Sequence, residues 1–348
     1  MPIKTYAQLR SVVETVLVAA GADGENARRV AEGLVLSDLS GVATHGVHIL
    51  PRYVDAIKAG ELVPTAKPEI VSETPNTALV KGNWTFGFVT TKYAMELAIA
   101  KAEEHGASVV SVVQTHHIGR LGEYAELAAS RGMVSLIWAS GYGHEQPVAV
   151  PFGGSRPVLA TNPISIGVPV GDEPPMVLDF ATTAVAGNKV VIAQREGKQL
   201  PPGSIVDKEG NPTTNPSDLQ DGGAHLPFGG HKGYALMLAD EFLGRVLSGA
   251  DRYADTPRGG PVLRHQGITL MVFKADLFQP LADFAGSADE LARRVRAVPP
   301  APGFDRVMVP GDMEERARVE RRRNGIPIPD VVWKSLTDLA ASLDVKIG

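Results

Sequence analysis

The sequence predicts an α/β fold, in the wider α+β sense, in which both chain termini build one helical domain. Two observations predict this class. Apolar residues recur at helical spacing towards both ends of the chain, whereas short runs rich in β-branched residues alternate with helical segments in the middle. A chain of 348 residues can bury a sizeable core and divide into about two or three domains. We expect a helical part at 1–68, an α/β part at 69–305 and a second helical part at 306–348.

The first half of the chain carries helices, followed by strands that alternate with helices. The Pro-punctuated segment from Val63 to Pro68 separates these two regions. The predicted elements are, in chain order, three short helices between 5 and 60, a helix at 89–105, a strand at Ala107–Val113, a helix at 120–131 and a strand at Met133–Trp138.

The second half is richer in glycine and proline before it returns to helix. A long loop is expected from Leu200 to Pro227, and loops of this length usually carry function. The other predicted elements are a strand at Met176–Asp179 and helices at 231–248, 312–323 and 330–343. Charged residues of both signs at helical spacing predict a solvent-exposed helix face at 314–323.

The composition excludes several classes of protein. Because cysteine is absent, the chain has no disulfide, thiolate nucleophile, iron–sulfur cluster or cysteine zinc site. The net charge of −5 is spread along the chain, so nothing predicts a nucleic-acid partner. No apolar run approaches the roughly 20 residues that cross a bilayer, and the first residues lack the hydrophobic segment of a signal peptide. We expect a cytoplasmic protein with no membrane partner.

The most informative stretch is the triplet Thr44-His45-Gly46, which connects two helical patterns. A histidine on such a short connector can exchange a proton with a reacting oxygen near neutral pH. Thr44 can bond the ring or cap the next helix, and Gly46 lets a ligand approach the backbone. The alternative is a surface histidine on a turn.

A second candidate is the segment Gly229-Gly230-His231-Lys232-Gly233, which opens a predicted helix. Free N–H groups at the helix start and the Lys232 ammonium together form a seat for a phosphate or a carboxylate. The alternative is a glycine-rich turn that only caps the helix. A Rossmann dinucleotide site is not predicted, because the nearest match, from Gly141 to Gln146, lacks the third glycine.

Polar residues also follow several predicted strands. His116 and His117 come after the Ala107–Val113 strand, and Asn162 and Asp179 follow other apolar runs. Side chains at strand ends often gather in a site, although polar residues such as those around Asn162 and Asp179 more commonly form turns.

The histidines raise a different possibility, a metal centre. His45 and His48 have helical ligand spacing, and His144 and His231 could complete such a set. No recognised combination of ligands and general base accompanies them, so we expect no metal.

Taken together, these segments resemble the malate/L-lactate dehydrogenase family of the second, non-Rossmann type. The resemblance covers nearly the whole chain, and within the family it is greatest to the hydroxycarboxylate dehydrogenase B branch. The motifs that carry it are Gly41-Val-Ala-Thr44-His45-Gly46-Val, His116-His117-Ile-Gly119, Thr161-Asn162-Pro163, Leu178-Asp179-Phe-Ala-Thr182, Pro212-Thr-Thr-Asn-Pro216, His231-Lys232-Gly233-Tyr234, Pro310-Gly311 and Arg323-Asn-Gly-Ile326.

The resemblance implies a homodimeric oxidoreductase that interconverts 2-oxo acids and 2-hydroxy acids. It also implies a family-specific cofactor fold and NAD as cofactor, with NADP as the alternative. His45 corresponds to the proton donor, Thr44 stands where the family usually has serine, and Asp179 is positioned to orient this pair. His117 corresponds to a second active-site histidine.

The remaining site residues fall into two groups. Those expected to contact the small-molecule substrate are His48, Arg52, Tyr53, Arg120 and Asn162. Those expected to contact the cofactor are Ser140, Val177, Leu178, Asp179, Phe180, Ala181, Thr182, Thr183, His231, Lys232, Gly311, Asp312 and Met313.

One position departs from the family pattern. Ile49 stands where many relatives have an arginine that grips the substrate carboxylate. Arg52 and Arg120 are the nearest replacements, and an isoleucine favours a larger apolar side chain on the substrate. Two other functions within the family stay open, reduction of a cyclic imine and reduction of a sugar-derived 2-oxo acid. Outside it, the alternatives are a histidine-metal hydrolase and a small-molecule binding protein.

Overall fold

The computed structural model describes residues 1–141, 143–171 and 173–347. The α-helices in these ranges are α1 (Tyr6–Ala19), α2 (Gly24–Leu39), α3 (Leu50–Lys58), α4 (Gly87–His105), α5 (Gly122–Ala129), α6 (Gly187–Arg195), α7 (Ser217–Gln220), α8 (His231–Glu241), α9 (Gly260–Leu263), α10 (Leu281–Arg296), α11 (Asp312–Asn324) and α12 (Asp330–Ser342). None of them combines the length and the apolar character that a bilayer crossing requires.

The strands of the same ranges are β1 (Ile3–Lys4), β2 (Glu69–Glu73), β3 (Thr77–Lys81), β4 (Ala107–Val113), β5 (Met133–Ser140), β6 (Pro163–Val170), β7 (Glu173–Ala181), β8 (Ile205–Val206), β9 (Pro212–Thr213), β10 (Ala224–His225), β11 (Gly267–Lys274) and β12 (Ile326–Pro327). Each helix and strand predicted from the sequence has a counterpart among these elements.

The two chain termini share one apolar core. Buried side chains of α1, α2 and α3, among them Leu9, Leu34 and Leu50, pack in the same cluster as Ile328 and Leu336 from the end of the chain. Strand β1 also pairs antiparallel with β12. The predicted helical domain built by both termini is therefore confirmed, while its limits at 68 and 305 stay a prediction.

The middle of the chain forms a mixed sheet whose order, among the described strands, is β2-β3-β4-β11-β5-β6-β7. Strands β3 and β4 run parallel, and the other neighbours are antiparallel. Helices α4 and α5 cover the sheet, where Met95 and Tyr124 pack with Val110, Ile137 and Leu270. This antiparallel-rich topology differs from the parallel sheet of a Rossmann domain, in agreement with the missing glycine fingerprint.

The long loop expected from Leu200 to Pro227 contains short regular elements that the sequence did not predict. Strands β10, β8 and β9 pair into a small antiparallel sheet there, and α7 follows β9. Strands of two residues are too short to show a period of two in the sequence, which is why the pattern gave no signal.

The predicted helix at 231–248 begins at the predicted residue. Helix α8 starts at His231, and a π-helical turn at Phe242–Val246 prolongs it. Gly229 and Gly230 have φ values of 57° and 63°, a left-handed conformation that glycine adopts without strain. These two glycines set the direction in which α8 leaves the preceding segment.

Candidate active site

His45 lies at the end of a short 3-10 turn, Ala43–His45, which links α2 to α3. The Thr44 hydroxyl and Nδ1 of His45 are hydrogen-bonded at 3.1 Å. Of the two roles expected for Thr44, this is the bond to the histidine ring. This bond fixes the ring through Nδ1. The opposite nitrogen, Nε2, is therefore the atom that can face a substrate.

His117 lies beside His45, although 71 residues separate them in the chain. Their rings are parallel, with an interplanar angle of 4° and centroids 5.8 Å apart. Nδ1 of His117 is hydrogen-bonded to the Tyr53 hydroxyl at 2.8 Å. The structure thus brings together three residues that the sequence predicts for one site, one from the turn, one from α3 and one from the segment after β4.

Both histidines are held in the neutral form at neutral pH. Burial, reinforced by the charges of His48 and Arg120, lowers the pKa of His45 to about 4. Burial also lowers the pKa of His117 well below its ordinary value, and His45 and Arg52 add to that effect. A neutral imidazole can accept a proton, so the pair suits removal of a proton from a substrate hydroxyl.

Asp179 lies on β7, and its hydrogen-bond partner is neither Thr44 nor a histidine of the pair. Its carboxylate accepts a hydrogen bond from the Gly122 amide at 2.7 Å. Burial raises the pKa of Asp179 to about 6, although the nearby Arg120 acts to lower it. Since the charge of Arg120 also acts on His45, this guanidinium is the electrostatic link between Asp179 and His45. Direct orientation of the Thr44–His45 pair by Asp179 stays a prediction.

A cavity of about 90 Å³ opens beside His117. Its lining includes His116, His117 and Tyr53, and the rest is apolar apart from two charged residues, Arg52 and Glu61. The remaining lining residues are Ile49, Ala56, Gly259, Gly260, Pro261, Val262 and Leu263. Sequence reasoning missed Glu61 and the 259–263 segment, because a single carboxylate and a Gly-Gly-Pro turn carry no motif.

Arg52 and Arg120 are the two arginines predicted to bind the substrate carboxylate in place of an arginine at position 49. They have different surroundings. Arg120 is 3% exposed and donates to Glu126 at 2.9 Å. Arg52 is exposed at the cavity, and within the described ranges it forms neither an ion pair nor a hydrogen bond to protein. Arg52 is therefore the guanidinium that is free to take a substrate carboxylate.

Two other predicted substrate residues are engaged by the protein itself. The ring of the half-buried His48 is hydrogen-bonded to the backbone of Ala43. Asn162 is fully buried, and its amide donates to the Met237 carbonyl at 2.9 Å and to Glu241 at 3.0 Å. These bonds tie the segment before β6 to α8. Contact of either residue with a substrate stays a prediction.

The end of β7 meets the start of α8, where cofactor residues are predicted. The Phe228 amide donates to the Thr182 carbonyl at 3.0 Å, and Thr183 forms an isolated β-bridge with Pro227. The first residues of α8, His231 and Lys232, are exposed. The buried hydroxyl of Thr183 lacks a protein partner in the described part of the chain. An anionic group placed at the start of α8 would meet free amides and an ammonium. Contact of the buried Thr183 hydroxyl with such a group stays a prediction.

The segment before α11 lies beside the middle of β7. The Val177 amide donates to the Pro310 carbonyl at 3.0 Å, and a Cβ on Gly311 would come within 3.1 Å of the Pro175 carbonyl oxygen. Arg296 holds the Asp312 carboxylate through two hydrogen bonds of 3.0 and 2.6 Å. Val177 and Gly311 are thus brought together as predicted, while the Asp312 carboxylate is already engaged.

The other predicted cofactor residues differ in accessibility. Ser140 is fully buried, and its hydroxyl donates to the Asp240 carbonyl and accepts from the Arg245 amide. Leu178, Phe180 and Ala181 are partly exposed along β7, and Met313 is 65% exposed. Only the second group presents surface to a ligand, so the role expected for Ser140 stays a prediction.

The histidines proposed as an alternative metal set lie in different places. His144 packs against His265, and His231 packs against Phe152, away from the His45–His117 pair. Across residues 1–141, 143–171 and 173–347, no three histidine, aspartate or glutamate side chains converge in a way that could hold an ion. Tyr142, inside the rejected glycine motif, lies outside the described residues.

Comparisons with known proteins agree on one family. The family model described as malate/L-lactate dehydrogenase matches residues 5–337. An L-lactate dehydrogenase of Cupriavidus necator is 36% identical, with 97% of each chain covered. A hydroxycarboxylate dehydrogenase B of Escherichia coli O157:H7 is 34% identical, covering 96% of this chain and 92% of that one.

Solved structures give the same result. The malate dehydrogenase from Entamoeba histolytica superposes with a TM-score of 0.91 at 28% identity, with 99% of each chain covered. The delta1-piperideine-2-carboxylate reductase from Pseudomonas syringae superposes with a TM-score of 0.87 at 31% identity, covering 98% of this chain and 100% of that one.

Proposed function

The chain belongs to the malate/L-lactate dehydrogenase family, and from this premise we propose that it interconverts 2-hydroxy acids and 2-oxo acids, with His45 moving the proton. The observation that carries the proposal is the stacked His45–His117 pair, of which His117 lines a cavity whose free cation is Arg52. A neutral imidazole and a guanidinium are the groups that a 2-hydroxy acid needs, one for its hydroxyl and one for its carboxylate. Reduction of a cyclic imine is the second candidate, because a reductase of this kind shares the fold.

The chain's own residues perform the binding and the proton transfer. A nicotinamide cofactor supplies the hydride chemistry when it is bound. Arg52 binds the substrate carboxylate, which directs the C2 oxygen towards the two rings. Nε2 of His45 takes the hydroxyl proton during oxidation and returns it during reduction, while Thr44 holds Nδ1. Tyr53 fixes the ring of His117, so that the second imidazole can also hydrogen-bond the reacting oxygen.

The start of α8 fits the cofactor's phosphates. Lys232 and the free amides after Gly230 supply positive charge. Val177 and Gly311, which lie together, would contact another part of the cofactor. We propose NAD as the cofactor on the strength of the family resemblance, with NADP as the alternative.

The function is tested by following NADH or NADPH oxidation with a panel of 2-oxo acids and one cyclic imine. Cofactor oxidation that depends on a 2-oxo acid supports the proposal. Turnover of the imine alone would assign the second candidate, and cofactor binding without any turnover would make the protein a binding protein.

Removal of the Lys232 ammonium should weaken dinucleotide binding. We expect Lys232→Ala to cost about 1 to 3 kcal/mol of binding free energy, the range for a charged hydrogen-bond partner. Titration calorimetry with NADH measures this, and Lys208→Ala, an exposed lysine between β8 and β9, serves as the control. Unchanged NADH affinity in Lys232→Ala would exclude this residue from the phosphate seat.

Catalysis should not require a metal ion. The proposed chemistry uses imidazole and guanidinium groups, so exhaustive chelation should leave turnover unchanged. The protein is treated with a chelator, the chelator is removed, and the initial rate is compared with that of the untreated protein. Lost activity that zinc or manganese restores would favour the hydrolase alternative.

We further propose that the protein is a cytoplasmic homodimer. Phe242 and Val246 lie on the π-helical turn that follows α8, Leu247 comes directly after it, and each of the three is more than half exposed. Exposed apolar patches of this kind commonly mark subunit contacts. The absence of cysteine from the sequence fits a reducing compartment.

A further inference from the structure

A buried carboxylate supports the turn that carries His45. Asp38, near the end of α2, is 6% exposed. Its Oδ2 accepts a hydrogen bond from the Val47 amide at 2.8 Å, two residues after His45. Burial raises the pKa of Asp38 to about 7, which reflects the cost of burying its charge, and an apolar side chain would fill the same space at less cost. A role beyond filling the core is therefore required to explain why an aspartate stands here.

Gly46 is shaped to this carboxylate. A Cβ on Gly46 would lie 2.0 Å from Oδ1 of Asp38, 2.3 Å from its Cγ and 2.4 Å from Oδ2. Its φ of −89° is open to any residue, so close approach alone requires glycine at this position. The carboxylate thus contacts both residues that follow His45, Gly46 by packing and Val47 by a hydrogen bond.

Helix α11 holds Asp38 and its surroundings from the other side. Arg321 donates to the Asp38 carbonyl, and Arg318 donates to the Ser40 hydroxyl at 3.2 Å and to Glu126 at 3.0 Å. Glu126 in turn accepts from Arg120, whose charge acts on His45. The C-terminal part of the chain therefore reaches the histidine turn along two routes, through Asp38 and through Arg120.

We propose that Asp38 is a positioning residue for the proposed reaction: by holding Gly46 and Val47, it sets the place of His45. This inference rests on the proposed function. A simpler structural role would be to cap the helical segment that begins at Val47, since a carboxylate at a helix start is stabilising. The two roles differ in what they change, because capping affects stability and positioning affects the chemical step.

The test is a double-mutant cycle on Asp38 and Gly46, read through kcat. Gly46→Ala should lower kcat by about 10²-fold, since the new methyl group collides with the carboxylate and moves the turn. In the Asp38→Ala background the space is vacated, and the same methyl group should change kcat by less than about 3-fold. Equal effects of Gly46→Ala in both backgrounds would overturn the proposal.

Asp38→Asn provides a second, conservative variant. It keeps an acceptor oxygen for the Val47 amide, so we expect a loss in kcat of about 10-fold, smaller than for Asp38→Ala. The deuterium isotope effect with 2-deuterated hydroxy acid should rise in both variants, because a misplaced base slows the chemical step, and NADH affinity should not change. Ser37→Ala is the matched control and should keep the wild-type kcat, because the Ser37 hydroxyl donates to the Gly33 carbonyl within α2.

The outcomes separate the two proposals. Absence of wild-type turnover with every 2-oxo acid would refute the proposed function itself. An active wild type whose Asp38 variants lose thermal stability but keep kcat and the isotope effect would refute the positioning role alone.

Discussion

Replacing His45 with alanine should lower kcat by about 10²- to 10⁴-fold while the affinity for NADH stays nearly unchanged. The reason is that Nε2 of His45 is the proposed proton acceptor, whereas the proposed phosphate seat lies at the start of α8. Steady-state kinetics with a 2-hydroxy acid and calorimetry with NADH measure the two quantities separately. Near-normal turnover in His45→Ala would remove His45 from the mechanism.

The pH dependence provides an independent check on the same residue. Because burial lowers the pKa of His45 to about 4, its neutral, proton-accepting form predominates at neutral pH. Oxidation of a 2-hydroxy acid should therefore be constant above this pKa and fall as the pH decreases through about 4. Reduction needs the protonated form, so its rate should decrease as the pH rises. His105→Ala, at the exposed end of α4, is the control and should keep both profiles.

The sequence predicts best those elements whose pattern is local and strong. The β-branched run Ala107–Val113 forms a strand with these same limits, and the glycine-flanked helix start at His231 is also correct. The two-residue strands β8, β9 and β10 were missed, because so few residues show no periodicity. The place of β11 between β4 and β5 depends on pairing across more than a hundred residues, which no local pattern encodes.

The residues of the candidate site also differ in how well the local sequence predicts them. The Thr44-His45-Gly46 turn is conspicuous in the sequence, since a reactive residue type stands between two helical patterns. The position of His117 beside His45 followed from the family resemblance, and no spacing rule predicts it. Asp38 and Glu61 carried no signal, because each is a single carboxylate whose role depends on what folds against it.

The substrate pocket should prefer an apolar 2-oxo acid to a dicarboxylic one. Ile49 lines the cavity where many family members have an arginine, and Glu61 lines the same cavity. A second carboxylate, as in oxaloacetate, would lose its hydration without gaining a cation and would be repelled by Glu61. We therefore expect kcat/KM to be higher for phenylpyruvate than for oxaloacetate, by about 10-fold or more.

Arg52 should be needed for every substrate, because it is the exposed guanidinium at this cavity and has no protein partner in the described ranges. Arg52→Ala should lower kcat/KM by at least about 30-fold for phenylpyruvate, pyruvate and oxaloacetate alike, since each has a carboxylate next to C2. This factor corresponds to a loss of about 2 kcal/mol of transition-state stabilisation. Glu61→Gln, a matched change of charge in the same cavity, should instead raise kcat/KM for oxaloacetate and leave that for phenylpyruvate unchanged. Arg120→Ala tests the other candidate arginine, whose guanidinium is already engaged by Glu126. A preference for oxaloacetate in the wild type, or full activity in both arginine variants, would show that the carboxylate binds elsewhere.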